Sequence, residues 1–481
     1  MLEQLQPKAV FHWFEEMSKI PRGSGNTEQI TQWCLSQITA MGLICRRDDV
    51  GNVYAYKAAS PGYEMAAPVL LQGHLDMVCV SAPRSCRDMA REGVELCTDG
   101  KRVWADDTTL GADNGIGAAM LLALLEGKCD GHPPLEVLLT VDEETGMDGA
   151  LNVHPEWLRA RRMINLDAEK EGVLWAGCSG GNTARITLQG SMARYTGESV
   201  RIEIGGLAGG HSGIDILKHR ANAILLLGRT LQVLRERGDL RLLQVGSPGP
   251  SNAIPSKAEA KILIASEASA VSEAVSRIQE VFRQEYGAAE PSLYVRAEFQ
   301  GRRAEYPALD RQSTDRAIDL LTSAPNGVQV MSEDFPDMPL ISLNFGQLIL
   351  DGKTLEAGFC LRSNAAYGVE MLGQRLTAIT EQLEGRISFS AGHAAWEYAR
   401  ESPLRKLLAC VYQRVAGKAP FVKVTHGGAE CGVLLEKIPG MDCVSIGPDM
   451  QAVHTPNETL DVGSTERTWR FLQEILKDMK E

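Results

Sequence analysis

Three short apolar runs in this chain each stop at a histidine or an acid. Pro68-Val-Leu-Leu-Gln72 leads into Gly73-His74-Leu75-Asp76, Leu135-Glu-Val-Leu-Leu-Thr-Val141 into Asp142-Glu143-Glu144-Thr145-Gly146, and Met163-Ile-Asn-Leu166 into Asp167. Runs of this length read as buried strands, which places all three polar clusters at strand C-termini. In an open α/β sheet that edge is where ligands bind. A fourth cluster, Gly111-Ala112-Asp113-Asn114, precedes the apolar stretch 118–125, which demands a helix buried on most sides and puts Asp113 just before its N-terminus. Imidazole and carboxylate groups converging on rigid elements are what a divalent-metal site needs.

A chain of 481 residues exceeds what one hydrophobic core usually spans, so two domains are expected. Helices are expected over 7–19 and 26–41, then two short strands around Asp49-Val-Gly-Asn52. The polar excursion 80–109, with a hairpin turn at Asp99-Gly100, reads as decoration on the sheet. A Gly- and Ser-rich segment near 175–181 marks a boundary. The expected organisation is a discontinuous catalytic domain, 1–181 and 392–481, with an inserted α+β domain over 182–391. Strand 200–204, helix 214–235, strands 240–245 and 258–264, helix 271–286 and strand 292–299 give the order β-α-β-β-α-β. A second, similar half follows, from a helix at 312–321 to a strand at 386–390. The chain then returns to the first domain with a helix at 403–415, the turn Thr425-His-Gly-Gly-Ala-Glu-Cys-Gly432, a strand at 441–446, Val453-His454-Thr-Pro-Asn-Glu458 and a closing helix at 465–479. The fold class expected is therefore α/β, with a mixed central sheet and an inserted domain of two related halves.

The net charge of −13 argues against nucleic-acid or anionic-membrane partners, which call for a basic face, and leaves small solutes as the expected ligands. Eleven cysteines, an odd number with no C-x-x-C pair, fit isolated thiols in a reducing compartment. With no export signal and no apolar run of membrane-spanning length, the expected location is the cytoplasm.

Each polar cluster alone has an ordinary explanation. His74-Leu-Asp76 reads as an incidental pair, Asp142-Glu143-Glu144 as a solvated acidic turn, Asp113 as a helix cap worth about 1 kcal/mol, Asp167 as a turn former and His454 as a loop residue. Taken jointly, the order His, Asp, Glu-Glu, Asp, His at the ends of elements on one sheet edge supplies what two zinc ions sharing a carboxylate require.

These motifs resemble the M20 metallopeptidases, and Gly111-Ala-Asp-Asn-Gly-Ile-Gly117 with Asp142-Glu-Glu-Thr-Gly146 resembles their Xaa-His (aminoacyl-histidine) dipeptidase branch. The resemblance implies two Zn2+ per subunit, with Mn2+ or Co2+ as substitutes. His74 and Asp167 would hold one, Glu144 and His454 the other, and Asp113 would bridge them through a residue whose bond to Asn114 is cis in relatives. Asp76 would orient His74, and Glu143 would be the general base toward a metal-bound hydroxide. His211 in Gly209-Gly-His-Ser-Gly213 would stabilise an oxyanion, and Arg362 would bind the substrate carboxylate. Asn252 and Gly428 are further substrate-binding candidates that read equally well as turns. The implied activity is hydrolysis of Xaa-His and other unsubstituted dipeptides, by a homodimer paired through the inserted lid domain. An N-acyl amino-acid deacylase or aminopeptidase of the same fold, or a non-catalytic peptide-binding relative, are the alternatives.

Overall fold

The three apolar runs become neighbouring strands. In the computed structural model, which describes residues 2–301 and 303–480, Val69–His74 lies between Leu135–Thr140 and Arg162–Asn165 and runs parallel to both. His74 pairs in register with Thr140, and Gln72 with Asn165, so the residues that follow emerge together at one sheet edge. Asp442–Ser445 extends the parallel part beside Arg162–Asn165. Val53–Lys57 and Ile44–Arg47 close one flank antiparallel, and Val173–Trp175 with Phe421–Lys423 complete eight strands on the other. The sheet is thus mixed.

Every residue of Val69–His74 and Leu135–Thr140 is buried, the signature of strands covered on both faces. The helix Ala112–Leu125 supplies part of that cover. All its residues except Asp113 are buried, and it packs against Val69–His74 and the helix Lys8–Ser18. Leu121 is fully buried in this core. Leu121→Ala is expected to cost roughly 2–5 kcal/mol, the range for a leucine truncated inside a packed core, read from the midpoint of chemical denaturation.

The excursion 80–109 is more than decoration. Its hairpin strands Leu96–Thr98 and Arg102–Ala105 join a four-stranded sheet in which Arg102–Ala105 pairs with Thr459–Asp461, and that strand with Met450–Gln451. A backbone ladder therefore brackets the loop that carries His454.

The chain divides into two compact units. The first comprises residues up to Gly177, Tyr398–Val424 and the chain from Ala429, and the second Cys178–Glu397 with Thr425–Gly428. The second unit is built on one antiparallel sheet of ten strands. Tyr294–Phe299, Met192–Gly205, Ala258–Ile264 and Leu240–Ser247 lie side by side in that order, then Pro339–Asp351, Thr354–Ser363, Gly180–Gln189 and Arg386–Phe389. In each half the first strand in the chain sits between the third and the fourth. The halves are nested, not consecutive: Gly180–Gln189, the opening strand of the second half, precedes the whole of the first. Reading the second half from its helix onward misses that strand.

Helices Ala268–Tyr286, Ala223–Arg237, Arg311–Ser323 and Ala366–Gln382 pack in a row, sharing one apolar core with the sheet. The helix expected from Ile214 starts only at Ala223. The Asn222 side chain accepts from the N–H groups of Ile224 and Leu225, capping the helix there, and a short 3-10 turn, Ile216–Lys218, fills the preceding stretch. Among the described residues, no helix is long and apolar enough to cross a membrane.

Candidate metal centre

His74, the last residue of its strand, presents Nε2 at 3.2 Å from Asp113 Oδ1 and 3.3 Å from Asp167 Oδ1. His454 presents Nε2 at 3.2 Å from the other Asp113 oxygen, Oδ2, and 2.9 Å from Glu144 Oε1. The carboxylate of Asp113 is therefore shared, one oxygen turned to the pair His74 and Asp167, the other to His454 and Glu144. Both triads keep their candidate ligand atoms within 4.8 Å of one another. Five residues spread from position 74 to 454 meet at one sheet edge.

The local electrostatics call for positive charge. Hydrogen bonds to Asp113 and Glu144 lift the His454 imidazole to about 11. Burial opposes the charging of His74, yet Asp167, Asp113 and Asp76 hold it well above the ordinary histidine value. Burial pushes Asp167 well above the usual carboxyl range, and its Oδ1 is a buried oxygen with no hydrogen-bond donor. Nitrogen and oxygen donors gathered around such an oxygen suit Zn2+, Mn2+ or Co2+.

Neighbouring side chains fix this arrangement. His74 Nδ1 lies 3.3 Å from Asp76 Oδ1. The fully buried Asp76 also accepts from Ser24 Oγ at 2.7 Å and from the backbone N–H groups of Glu143 at 3.1 Å and Glu144 at 3.3 Å. Burial works against ionisation of Asp76, but His74, Ser24 and the Glu143 N–H hold it at about 2. One carboxylate thus orients the imidazole and pins the acidic loop. Asn114 accepts from His74 N–H at 3.2 Å and donates to Leu166 O at 2.6 Å, tying two of the ligand-bearing strand ends to Asp113. The Asp113–Asn114 bond is cis.

Glu143 lies outside the two triads that share Asp113, although a third group, His74, Glu143 and Glu144, also keeps its candidate ligand atoms within 4.8 Å of one another. Burial, with the charges of Asp167, Glu430 and Glu144, pushes its carboxyl well above the usual range, against the pull of His74. Glu430 is a residue that sequence reasoning missed. It is buried, accepts from Gln72 Nε2 at 2.5 Å and Thr140 Oγ1 at 2.7 Å, and burial raises it to about 7. Its signal is the acid that closes the Gly427-Gly-Ala-Glu430 turn, two residues after Gly428.

The second unit gathers the remaining candidates. His211 pairs with Ala253 across a two-stranded ladder, and Ser212 N–H donates to Asn252 O, which sets Asn252 beside the histidine loop as an exposed residue. His211 Nδ1 lies 3.3 Å from the N–H groups of Gly213 and Ile214. Its Nε2 faces Arg362 Nη2 at 3.4 Å. Burial and the Arg362 charge lower the His211 pKa. Gly428 follows His426, whose Nδ1 is 2.7 Å from Asn364 Oδ1 and whose Nε2 is 2.7 Å from Ser342 Oγ.

Residues 70–478 match the family described as Peptidase family M20/M25/M40. The chain is 34% identical over 481 residues to the cytosol non-specific dipeptidase of Escherichia coli (strain K12), covering 99% of both proteins. Among solved structures it resembles the aminoacylhistidine dipeptidase of Vibrio alginolyticus, with a TM-score of 0.91, 32% identity, and coverage of 99% of this chain and 98% of that one. A tripeptidase of Staphylococcus aureus shares the fold at 15% identity and a TM-score of 0.56, with 99% of each chain covered.

Proposed function

Because this chain belongs to the M20/M25/M40 family of metal-dependent peptidases, we propose that it is a dinuclear zinc dipeptidase that hydrolyses Xaa-His and other unsubstituted dipeptides in the cytoplasm. The observation that carries the reading is the divided carboxylate of Asp113, whose two oxygens face separate His and acid pairs. His74 with Asp167 would hold one cation, and His454 with Glu144 the other. When bound, paired cations at these residues lower the pKa of a coordinated water and polarise the scissile carbonyl.

The chain's own groups supply the rest. Glu144 faces His454, while the neighbouring Glu143, its carboxyl raised by burial, would take a proton from the attacking water and deliver it to the leaving amine. Asp76 keeps His74 facing the centre and fixes the backbone of Glu143. The His211 ring and the Arg362 guanidinium lie side by side, Nε2 3.4 Å from Nη2, and the guanidinium suits an anionic acceptor. We assign His211 to the developing oxyanion and Arg362 to the substrate carboxylate, with Asn252 and Gly428 as supporting contacts.

Arg362→Ala is expected to raise KM for free dipeptides about 10- to 100-fold, in line with a charged hydrogen bond worth roughly 1.5–3 kcal/mol. It should matter little for C-terminally amidated analogues; equal effects on both would remove the carboxylate assignment. Assaying carnosine, Gly-His, a tripeptide and an N-acetyl amino acid side by side tests the function itself. The dipeptides should turn over fastest, and preference for the N-acetyl substrate would overturn the reading.

A further inference from the structure

Two buried ionisable residues whose side chains touch none of the five candidate ligand side chains grip the turn that delivers Asp113. Glu458 is 2% exposed, and its carboxylate accepts from four successive backbone N–H groups: Leu110 at 2.8 Å and Gly111 at 3.0 Å on Oε2, Ala112 at 2.8 Å and Asp113 at 3.4 Å on Oε1. Arg22, also 2% exposed, approaches the same turn through its carbonyl side. Its Nη2 donates to Gly111 O, while Nη1 donates to Leu75 O at 2.9 Å and Asp76 O at 3.2 Å. The Gly111 peptide is thus held at its N–H by an anion and at its carbonyl by a cation.

This grip explains two glycines of the motif 111–117. Gly111 has φ +69, and a Cβ there would lie 2.5 Å from Arg22 Nη2 and 2.6 Å from Met77 Sδ. A Cβ on Gly115 would also meet Arg22 Nη2 at 2.5 Å. The glycines make room for the guanidinium.

The geometry points to Glu458 and Arg22 as positioning residues that lock the Asp113 turn to two of the other ligand-bearing segments, those of His74 and His454, so that the shared carboxylate and both histidines keep one spacing. Glu458 belongs to the same loop as His454, four residues on, and carries that loop onto the turn. Arg22 ties the same turn to the strand end at His74–Asp76. Among the described residues neither side chain has another hydrogen-bond partner, and a buried ionisable group persists only when its partners are complete. The carboxylate matters for its shape as well as its charge, because an amide at 458 would turn an N–H2 toward donors.

The inference rests on the dinuclear reading, and cobalt titration of the metal-free full-length protein separates the two. Wild-type protein should take up two Co2+ with a visible ligand-field spectrum; if it takes up none, the dinuclear reading itself fails. Glu458→Gln should bind at least one of the two Co2+ about 10- to 100-fold more weakly, the usual effect of losing a partner outside the ligand set, with an altered spectrum. Leu121→Ala serves as the control: a core truncation that lowers stability should leave titration and spectrum unchanged. Should Glu458→Gln not fold, Arg22→Lys, which cannot span all three carbonyl contacts, is titrated with the same expectation. Two Co2+ bound at wild-type affinity with a wild-type spectrum in the folded variant would overturn the proposal.

Discussion

Glu143→Gln is expected to lower kcat about 100- to 10,000-fold on a free dipeptide while leaving metal content unchanged. The size follows from what a positioned general acid and base contributes to proton transfer. Retention of metal is expected because Glu143, although within 4.8 Å of candidate ligand atoms of His74 and Glu144, belongs to neither of the two triads that share Asp113. The glutamine keeps the shape of the side chain and removes only its ability to accept a proton. Steady-state kinetics with metal analysis on the same preparation check this. Loss of metal would recast Glu143 as a ligand, and an unchanged kcat would remove it from the reaction.

The second large effect belongs to Asp113. Asp113→Ala removes both oxygens that His74 and His454 face, at 3.2 Å each. It leaves Asp167 opposite one imidazole and Glu144 opposite the other, with nothing shared between them. Metal affinity should fall by more than the roughly 10- to 100-fold typical of an outer partner, and peptidase activity should fall to background. Metal content by elemental analysis after dialysis is the readout, and two tightly held cations in this variant would refute the sharing. Glu144→Ala makes a useful comparison, since it should weaken one position and spare the other.

Much of this centre was legible before any coordinates because the information is local. A short apolar run that stops at His74, Asp142 or Asp167 announces both the strand and the place where its polar end emerges. Parallel pairing then does the rest, since strands in register must release their ends on one edge. The helix through 118–125 was equally plain, being apolar all round, although it begins earlier, at Ala112, and takes in Asp113. What stayed hidden was set by contacts distant in the chain. Nothing local to Arg22 says that its guanidinium will be buried against carbonyls some 53 to 89 positions away. Glu430 looked like the end of a glycine turn, and only the packing of Gln72 and Thr140 makes it a buried carboxylate.

The hairpin near Asp99 failed as a functional signal for the same reason: its partner strand, Thr459–Asp461, lies at the far end of the chain. In the second unit the pattern of alternating elements was readable, but the nesting was not. Strand order depends on which edges pair, and a leading strand separated from its half by more than a hundred residues leaves no periodic trace. The late start of the helix at Ala223 is a smaller case, where the Asn222 cap outweighed apolar residues that continued the helical pattern upstream.

Central to the proposed centre is the sharing of Asp113 by two cations. Anomalous diffraction at the zinc edge from crystals of the zinc-loaded protein is the most direct test. Two peaks are expected, one between His74 and Asp167 and the other between His454 and Glu144, with Asp113 contacting both. A single peak, or two peaks that leave Asp113 uncoordinated, would contradict it.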